Sequence, residues 1–424
     1  MNVVLADLGE RHRTFPKSVQ PGIPKLGTLK PGWKRLKIGD LFDVVSRPCE
    51  LVDADTYQLV TVKRSRGGIE SRGDLRGSEI AVKSQFFIEE GDFLISKRQI
   101  VHGACAVVTA EFAGSIVSNE YAVLRCKPTL NIDFLRQLIH SIYFQETCFH
   151  SSMGVHVEKM IFSTPDWFRR KIDIPEVDEQ REIADFLGSV DNRIRLLQRR
   201  VDALARYKSG VTQRLFDQSL RFTRDDGSAF PDWEERQISQ LGKPVAGLAG
   251  KTAADFGAGQ PYVTYKQIFG ASKIDISECL YVAIDKDERQ NRLRYGDVLF
   301  TTSSETSNEV GYASVLLDHP DELYLNSFCF ALRPHSTEAL LPQFARYLFR
   351  SPTFRRKVFP LAQGSTRYNL AKSSFLKLTL DVPHPDEQHK IADFLEALDE
   401  KIATMAAQAD QMQRYKKALI QRMF

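Results

Sequence analysis

The sequence predicts an α+β protein made of two pseudo-repeated, strand-rich domains separated by two long helices that form an antiparallel coiled coil. Three observations lead to this prediction. A long segment in the middle of the chain is repeated at its end, and both copies carry apolar residues at helical spacing. The stretches that precede the two copies show the apolar–polar alternation of half-buried strands.

The repeat consists of two segments that align without a gap at an offset of about 208 residues, which is a whole-domain period. The first runs from Ile174 to Phe216 and the second from Val382 to Phe424. Chance does not produce so many identities. They include Pro175/Pro383, Asp178/Asp386, Glu179/Glu387, Gln180/Gln388, Ile183/Ile391, Phe186/Phe394, Tyr207/Tyr415, Arg214/Arg422 and Phe216/Phe424.

The regions before these segments correspond more loosely. Gly91–Ser96 reads GDFLIS where Gly296–Thr301 reads GDVLFT, and a turn signal at Asp225–Gly227 marks the start of the second domain. We therefore predict a first domain at 1–174 with an N-terminal extension at 1–32, a central spacer helix at 175–216, a second domain at 217–382, and a C-terminal spacer helix at 383–424.

The repeated segments place apolar residues at steps of mostly three and four, which is the coiled-coil pattern. A lone helix with such a stripe would expose it to water, so we expect the two helices to pair, and tandem units favour a pseudo-twofold, antiparallel arrangement. The alternative is a stripe that packs on its own domain. Asp178 and Asp386 stand where N-cap residues belong. The predicted coiled-coil residues are Ile183, Leu187, Val190, Ile194, Leu197, Val201, Leu204, Ile391, Leu395, Leu398, Ile402, Met405 and Met412, and the same stripe includes Phe186, Tyr207 and Tyr415.

Within the first globular region, alternating apolar residues predict strands, and a longer apolar periodicity predicts one helical segment over about Asp133–Phe149. Gly and Ser cluster between the strand-like runs. The predicted strands are Tyr57–Val62, Asp92–Ser96, Ala104–Val108 and Tyr121–Leu124.

Composition and cysteine usage narrow the class of protein. The six cysteines form no CxxC pair, which argues against a structural zinc site and against a secreted disulfide framework. No apolar run approaches the length of a membrane span, and Asp7 and Glu10 make the N-terminal stretch a poor signal peptide. We expect a cytoplasmic protein with free thiols.

Motifs of catalysis are missing from the sequence. It contains no Asn/Asp-Pro-Pro-Phe/Tyr tetrapeptide of adenine methyltransferases, no glycine-rich cofactor loop opening a helix, and no GxxxxGK[ST] phosphate loop. The His102–Cys105 segment matches no zinc-ligand spacing. We therefore expect a binding scaffold without catalytic, cofactor or metal sites of its own.

Basic and amide side chains in Gly- and Ser-rich loops suggest DNA as the ligand, because Lys and Arg bind phosphates while amide and guanidinium groups read base edges. The loop Val62–Gly68 offers three cations beside glycines, and Ser96–Gln99 adds two cations and a glutamine. The alternative for each is an ordinary solvated side chain. The predicted DNA-binding residues are Lys63, Arg64, Arg66, Lys97, Arg98, Gln99, Tyr265, Lys266, Gln267, Thr302, Ser303, Asn308, Arg367, Tyr368 and Asn369.

These features together resemble a known family over essentially the whole chain. The motif P-x-x-D-E-Q-x-x-I-A-D-F-L occurs at Pro175–Leu187 and at Pro383–Leu395, and each copy closes a variable domain and opens a long helix. The segments Pro31–Asp43 and Phe230–Gly242 look like the starts of that family's domains. The chain resembles the DNA specificity subunits of type I restriction–modification enzymes.

The resemblance implies two target-recognition domains, each reading one half of a split, asymmetric site in double-stranded DNA. It also implies two modification subunits that bring S-adenosylmethionine and methylate adenine, and restriction/translocase subunits that use ATP and Mg²⁺. None of these small ligands is expected on this chain. Two other interpretations stay open here, namely the recognition part of a split single-chain restriction–methyltransferase, and a two-headed interaction scaffold.

Overall fold

The computed structural model describes residues 26–285, 287–306, 309–364 and 367–424. The beginning of the predicted N-terminal extension, with Asp7 and Glu10, and the predicted contact Asn308 lie outside these residues. The chain forms two compact units. Unit 1 consists of the described residues up to Gln198 together with Ala407–Phe424, and unit 2 consists of Arg199–Ala406. Each unit thus contains one globular region and a part of both long helices.

Unit 1 is strand-rich, with short helices between the last strands. Its strands are β1 (Trp33–Lys37), β2 (Phe42–Val44), β3 (Pro48–Cys49), β4 (Thr56–Val62), β5 (Ile69–Arg76), β6 (Gln85–Phe87), β7 (Asp92–Ser96), β8 (Cys105–Val107), β9 (Ile116–Ser118), β10 (Tyr121–Cys126), β11 (Ser152–Met153), β12 (Ile161–Phe162) and β13 (Lys171–Pro175). Its helices are α1 (Ile132–Leu138), α2 (Ile142–Phe149), α3 (Thr164–Arg169) and the first half of α4 (Val177–Phe216).

Unit 2 has a similar sequence of elements. Its strands are β14 (Glu234–Gln237), β15 (Gly242–Ala246), β16 (Phe256–Val263), β17 (Leu280–Val282), β18 (Val298–Thr301), β19 (Ser303–Ser304), β20 (Ala313–Val315), β21 (Tyr324–Leu325), β22 (Cys329–Pro334), β23 (Ala362–Gln363), β24 (Tyr368–Leu370) and β25 (Thr379–Val382). Its helices are α5 (Ile238–Leu241), α6 (Tyr265–Gly270), α7 (Pro342–Leu348), α8 (Pro352–Val358), α9 (Lys372–Leu376) and the first half of α10 (Pro385–Met423).

Each unit has its own central four-stranded sheet, and the strand order is equivalent in both. In unit 1 the four-stranded sheet has the order β2-β10-β7-β8, and in unit 2 the matching order is β15-β22-β18-β20. The first and last strands of each globular region also pair in both units, as β1 with β13 and as β14 with β25. The remaining sheets differ. Unit 1 adds the five-stranded sheet β3-β6-β9-β4-β5 and the pair β11-β12, whereas unit 2 adds the three-stranded sheets β17-β16-β21 and β19-β24-β23. The central sheet and the pairing of the first and last strands are therefore repeated, whereas the additional sheets are not.

The similar segments Gly91–Ser96 and Gly296–Thr301 each contribute an aspartate to a buried ion pair. Asp92 and Asp297, the second residues of these segments, are both fully buried. Asp92 binds Arg125 at 2.8 Å, and Asp297 binds Arg333 at 2.7 Å. A buried carboxylate without a cation would be strongly destabilising, so each central sheet depends on its pair.

The motif P-x-x-D-E-Q anchors the start of each long helix to its domain. Gln388 is fully buried, accepts a hydrogen bond from the Leu341 amide (2.9 Å), and donates to the carbonyls of Ala339 (2.9 Å) and Pro383 (3.0 Å). Buried polar groups need such partners, so the glutamine is fixed by the fold. Gln180 is also fully buried in unit 1, and its three partners are the Asn131 amide and the carbonyls of Thr129 and Pro175.

The glutamate of the motif holds a tryptophan from the first strand region of the same domain. The indole Nε1 of Trp33 donates to Glu179 at 3.2 Å, and that of Trp233 donates to Glu387 at 3.1 Å. Glu387 is fully buried and also binds Arg221 at 2.8 Å. The repeated Glu-Gln pair therefore joins the beginning of the domain, the segment that leads into α1 or α7, and the long helix.

The long helices pair antiparallel, as the sequence predicted. In unit 1 Asp191 of α4 binds Lys416 of α10 at 2.7 Å, and in unit 2 Lys208 of α4 binds Asp399 of α10 at 2.5 Å. As α4 advances from Asp191 to Lys208, its partner in α10 moves backwards from Lys416 to Asp399, which is the order of an antiparallel pair. The two ion pairs are equivalent under the repeat, with the roles of the helices exchanged.

Both interpretations of the apolar stripe hold in part. Near its start, α4 packs into the core of its own domain through Ile183 and Leu187, and that core also contains Ile420 of α10. Buried stripe residues are Ile183, Leu187, Val190, Ile194, Leu197, Ile391 and Leu395, while Val201, Leu204, Leu398, Ile402, Met405 and Met412 are half-buried. Phe186, Tyr207 and Tyr415 are about half exposed, so their assignment to the buried stripe was wrong.

Two further sequence predictions need correction. Asp178 and Asp386 are not N-caps, because the helices begin at Val177 and Pro385 and both aspartates lie in the first turn. The single helix expected over Asp133–Phe149 is two helices, α1 and α2, since the Ser141 side chain caps a new helix by accepting from the Phe144 amide at 3.1 Å.

Among the helices described, none is long and apolar enough to cross a membrane. Within the described ranges, no group of three or more His, Cys, Asp or Glu side chains is placed to hold a metal ion.

The glutamine anchor generates a stability prediction. Replacing Gln388 with Ala leaves one amide and two carbonyls without their partner, and we expect the free energy of unfolding to fall by about 2–3 kcal/mol. Urea unfolding followed by circular dichroism measures this change. Gln408→Ala is the control, because Gln408 is exposed on the same helix and should shift the midpoint little. Equal midpoints for the two variants would contradict the anchoring role.

Candidate nucleic-acid interface

In unit 1 the predicted basic loop is a tight turn fixed by its backbone. It follows β4 as a 3₁₀ turn over Arg64–Arg66, in which Ser65 and Arg66 take φ values of 57° and 56°. This left-handed conformation is costly for residues other than glycine, so contacts must hold it. The Arg66 amide donates to the Gly103 carbonyl at 2.8 Å, and a Cβ at position 103 would lie 3.3 Å from the Ser65 Cα. Glycine at 103 thus permits the loop to dock.

Arg66 is turned inwards, unlike the other two cations of the loop. Its Nε donates to the Ile139 carbonyl at 2.9 Å and its Nη2 to Gln145 at 2.7 Å. Burial lowers the pKa of this guanidinium. The side chain joins the loop to the region of α1 and α2. Lys63 and Arg64 are exposed.

The second predicted segment, Lys97–Gln99, lies beside this loop. Arg64 donates from Nε to the Gln99 side chain at 2.9 Å, so the two segments meet although they are far apart in sequence. Arg98 is exposed and pairs with Glu120 at 2.6 Å, while the Lys97 ammonium donates to the Asn119 carbonyl at 2.7 Å. Lys63, Arg64 and Arg98 are exposed and Lys97 and Gln99 are half-buried, and these five residues form the candidate face of unit 1.

Carboxylates that the sequence analysis did not single out complete this face. Glu158, on the hairpin between β11 and β12, lies 3.3 Å from Arg64 and 3.1 Å from His102. Lys63 pairs with Glu70 at 3.1 Å. Exposed ion pairs of this kind contribute little stability, so a phosphate can replace the carboxylates at small cost. The loop between Gly154 and Met160 gave no charge pattern from which Glu158 could have been chosen.

In unit 2 the predicted segments also come together. Strand β19 pairs with β24, placing Ser303 opposite Asn369 and Ser304 opposite Tyr368. The Leu370 amide donates to the Thr302 carbonyl at 2.8 Å. In unit 1 the Phe162 amide makes the equivalent bond to the Lys97 carbonyl at 2.9 Å. Arg367 and Asn369 are exposed, and Thr302 and Tyr368 are half-buried. Ser303 is buried and contributes its backbone to the sheet.

Two of the three residues predicted in α6 of unit 2 make contacts within the domain, and the third is exposed. Gln267 caps its own helix by accepting from the Thr264 amide at 3.0 Å and donates to the Asp275 carbonyl at 3.0 Å, which occupies its amide. Tyr265 stacks on Phe269 with ring centroids 6.4 Å apart, and burial raises the pKa of its hydroxyl. Lys266 is exposed. Of these three residues, the lysine is therefore the one placed for an external ligand.

Comparisons with known proteins agree with this architecture. The family model described as the type I restriction modification DNA specificity domain matches residues 30–206 and 231–414. The type I restriction enzyme MjaVIII specificity subunit of Methanocaldococcus jannaschii is 22% identical over 413 residues, covering 92% of this chain and 91% of that protein. The EcoKI specificity subunit of Escherichia coli is 24% identical over 152 residues, covering 35% of this chain and 32% of its own length.

Solved structures show the same fold. The HsdS subunit from Thermoanaerobacter tengcongensis superposes with a TM-score of 0.53 at 18% identity, covering 93% of this chain and 96% of that chain. A chain from a structural study of complex assembly and conformational transition of the type I restriction–modification system gives a TM-score of 0.61 at 18% identity, covering 93% and 98%. With two family domains matched and the fold shared, the chain belongs to the type I restriction–modification DNA specificity family, as a non-catalytic specificity subunit.

Proposed function

We propose that each unit reads one half of a bipartite, asymmetric site in double-stranded DNA, and that the chain docks two modification subunits and the restriction/translocase subunits. The observation that carries this proposal is the contrast between a repeated scaffold and an unrepeated face. The Trp–Glu and Gln anchors are the same in both units, whereas the equivalent surface segments carry Lys97-Arg98 in one and Thr302-Ser303 in the other.

The face of unit 1 has the chemistry of a DNA contact. Exposed Lys63 and Arg64 can bind phosphates, and Gln99 with Arg98 can reach base edges. In unit 2 the exposed groups with this chemistry are Arg367 and Asn369, which lie at other positions of the fold. Because their side chains differ, the two faces would select different bases, which supports an asymmetric site.

Exposed repeat identities support docking of two copies of one partner. Tyr207 and Tyr415 are equivalent in the repeat, and they are 53% and 52% exposed. Arg214 and Arg422 lie seven residues further on, on the same side of each helix, and are also exposed. Core packing does not require identical residues at exposed positions. Two equal surfaces suit two copies of a modification subunit.

Under this proposal the small ligands belong to the partners. S-adenosylmethionine would be bound by the modification subunits, and ATP with Mg²⁺ by the restriction/translocase subunits, all in the cytoplasm where the chain meets DNA. Such a division of labour fits a family of non-catalytic specificity subunits.

The salt dependence of DNA binding tests the unit 1 face. For the assembled methyltransferase, Lys63→Ala with Arg64→Ala should weaken binding and reduce the slope of log K against log salt concentration by about 1.8, because each lost phosphate contact contributes about 0.9. The matched control is Lys34→Ala with Arg136→Ala, which removes one exposed and one half-buried cation of the same unit, both of them ion-paired. Equal salt slopes for the two double variants would show that DNA does not contact Lys63 and Arg64.

The docking surface is tested by stoichiometry. Tyr207→Ala and Tyr415→Ala should each leave one modification subunit per chain in native mass spectrometry, and the double variant should leave none. Leu196→Ala is the control, since Leu196 is 52% exposed on α4 but its repeat counterpart is Thr404. Two bound subunits on the double variant would contradict docking at these tyrosines.

A further inference from the structure

One corner of the candidate interface is built in the same way in both units but carries different chemistry. In unit 1 the residue before β10, Glu120, accepts a backbone hydrogen bond from Lys97, the residue after β7, at 2.9 Å. In unit 2 the residue before β22, Phe328, accepts the equivalent bond from Thr302 at 3.1 Å. The two backbones can therefore be compared residue by residue at this corner.

In unit 1 this corner holds an ion pair. The Arg98 guanidinium donates to the two Glu120 oxygens at 2.6 and 3.2 Å. The hydrogen bond with Arg98 lowers the pKa of Glu120, so the carboxylate stays ionised. A base-reading group here would be charged and would form directional hydrogen bonds.

In unit 2 the same corner holds an exposed aromatic ring. Phe328 is 57% exposed, and the Arg367 guanidinium lies 5.4 Å from its ring centroid. The backbone under the ring is fixed, because the Phe328 amide donates to the Asn326 side chain at 2.9 Å and the Asn326 amide donates to the Val263 carbonyl at 3.0 Å. A single exposed apolar side chain is common on protein surfaces, so exposure alone does not indicate a ligand. What distinguishes Phe328 is its place, because its carbonyl is bonded to Thr302 and its ring lies beside the exposed Arg367, both of which are predicted DNA contacts.

We propose that Phe328 reads the C5-methyl group of a thymine in the half-site bound by unit 2. This inference rests on the proposed DNA-binding function and names the base feature that one residue recognises. The methyl group is the apolar feature of the major groove, and phenylalanine is among the side chains that contact it. Arg367, stacked beside the ring, provides the cation for an adjacent phosphate or guanine edge.

The geometry favours contact over insertion between bases. A wedge residue inserts between base steps and partly unstacks them. Here one side of the Phe328 ring is approached by the Arg367 guanidinium, and the backbone anchors keep the residue at the strand end. The ring can therefore meet a methyl group in the groove without unstacking a base pair.

The test is a thymine-to-deoxyuridine scan, which removes one methyl group at a time and leaves the base pairing unchanged. The site is first obtained by sequencing methylated adenines after co-expression of the chain with its modification subunits. Deoxyuridine at one thymine of the unit 2 half-site should weaken binding of the assembled methyltransferase about fourfold, the effect of one buried methyl group. Each deoxyuridine oligonucleotide differs from its thymine parent by one methyl group alone, so the parent oligonucleotide is the control.

The variant Phe328→Ala should bind thymine and deoxyuridine oligonucleotides equally at that position. Phe359→Ala, which truncates another phenylalanine of unit 2 that is 50% exposed, should keep the fourfold difference. If wild type binds its site but no thymine of this half-site is methyl-sensitive, or if Phe328→Ala keeps the sensitivity, the inference is wrong and the proposed function stands. If wild type assembly recognises no specific site, the proposed function itself is wrong.

Discussion

The structure depends on the burial of one apolar stripe along each long helix. Burying a side chain such as Leu187 or Leu395, both fully buried, contributes about 1.5–3 kcal/mol each. In unit 1 the core contains Ile420 from the second repeat, and in unit 2 it contains Leu215 from the first. Each core is therefore completed by the helix of the other repeat.

Aromatic contacts at the helix ends show the same exchange. Phe424, the end of the second repeat, packs edge-on against Phe134 of unit 1 with centroids 5.4 Å apart, and Phe216 packs against Phe344 of unit 2 at 5.6 Å. Phe216 and Phe424, together with the Glu and Gln anchors, are among the identities that revealed the repeat. Residues that close the core are held constant, and residues on the candidate DNA faces are free to differ.

The repeat, the long helices and their pairing could be predicted because periodicity and alignment depend on local sequence alone. The first turn was misplaced because an aspartate is favourable both as an N-cap and within the first turn, so Asp178 fits either position. The direction in which individual side chains point could not be predicted from the sequence. Arg66 and Lys63 look equivalent in a basic loop, and the left-handed backbone at Ser65 and Arg66 decides which one turns inwards.

Under the proposed function, the domains choose the bases and the paired helices set the distance between the half-sites. Duplicating one heptad after Arg199 and after its equivalent Ala407 keeps the stripe in phase and adds roughly 10 Å of helix. At roughly 3.4 Å per base pair, this corresponds to about three base pairs. Sequencing of methylated adenines after co-expression should show both half-sites unchanged and a longer gap between them. An unchanged gap with methylation retained, or altered half-sites, would contradict the account.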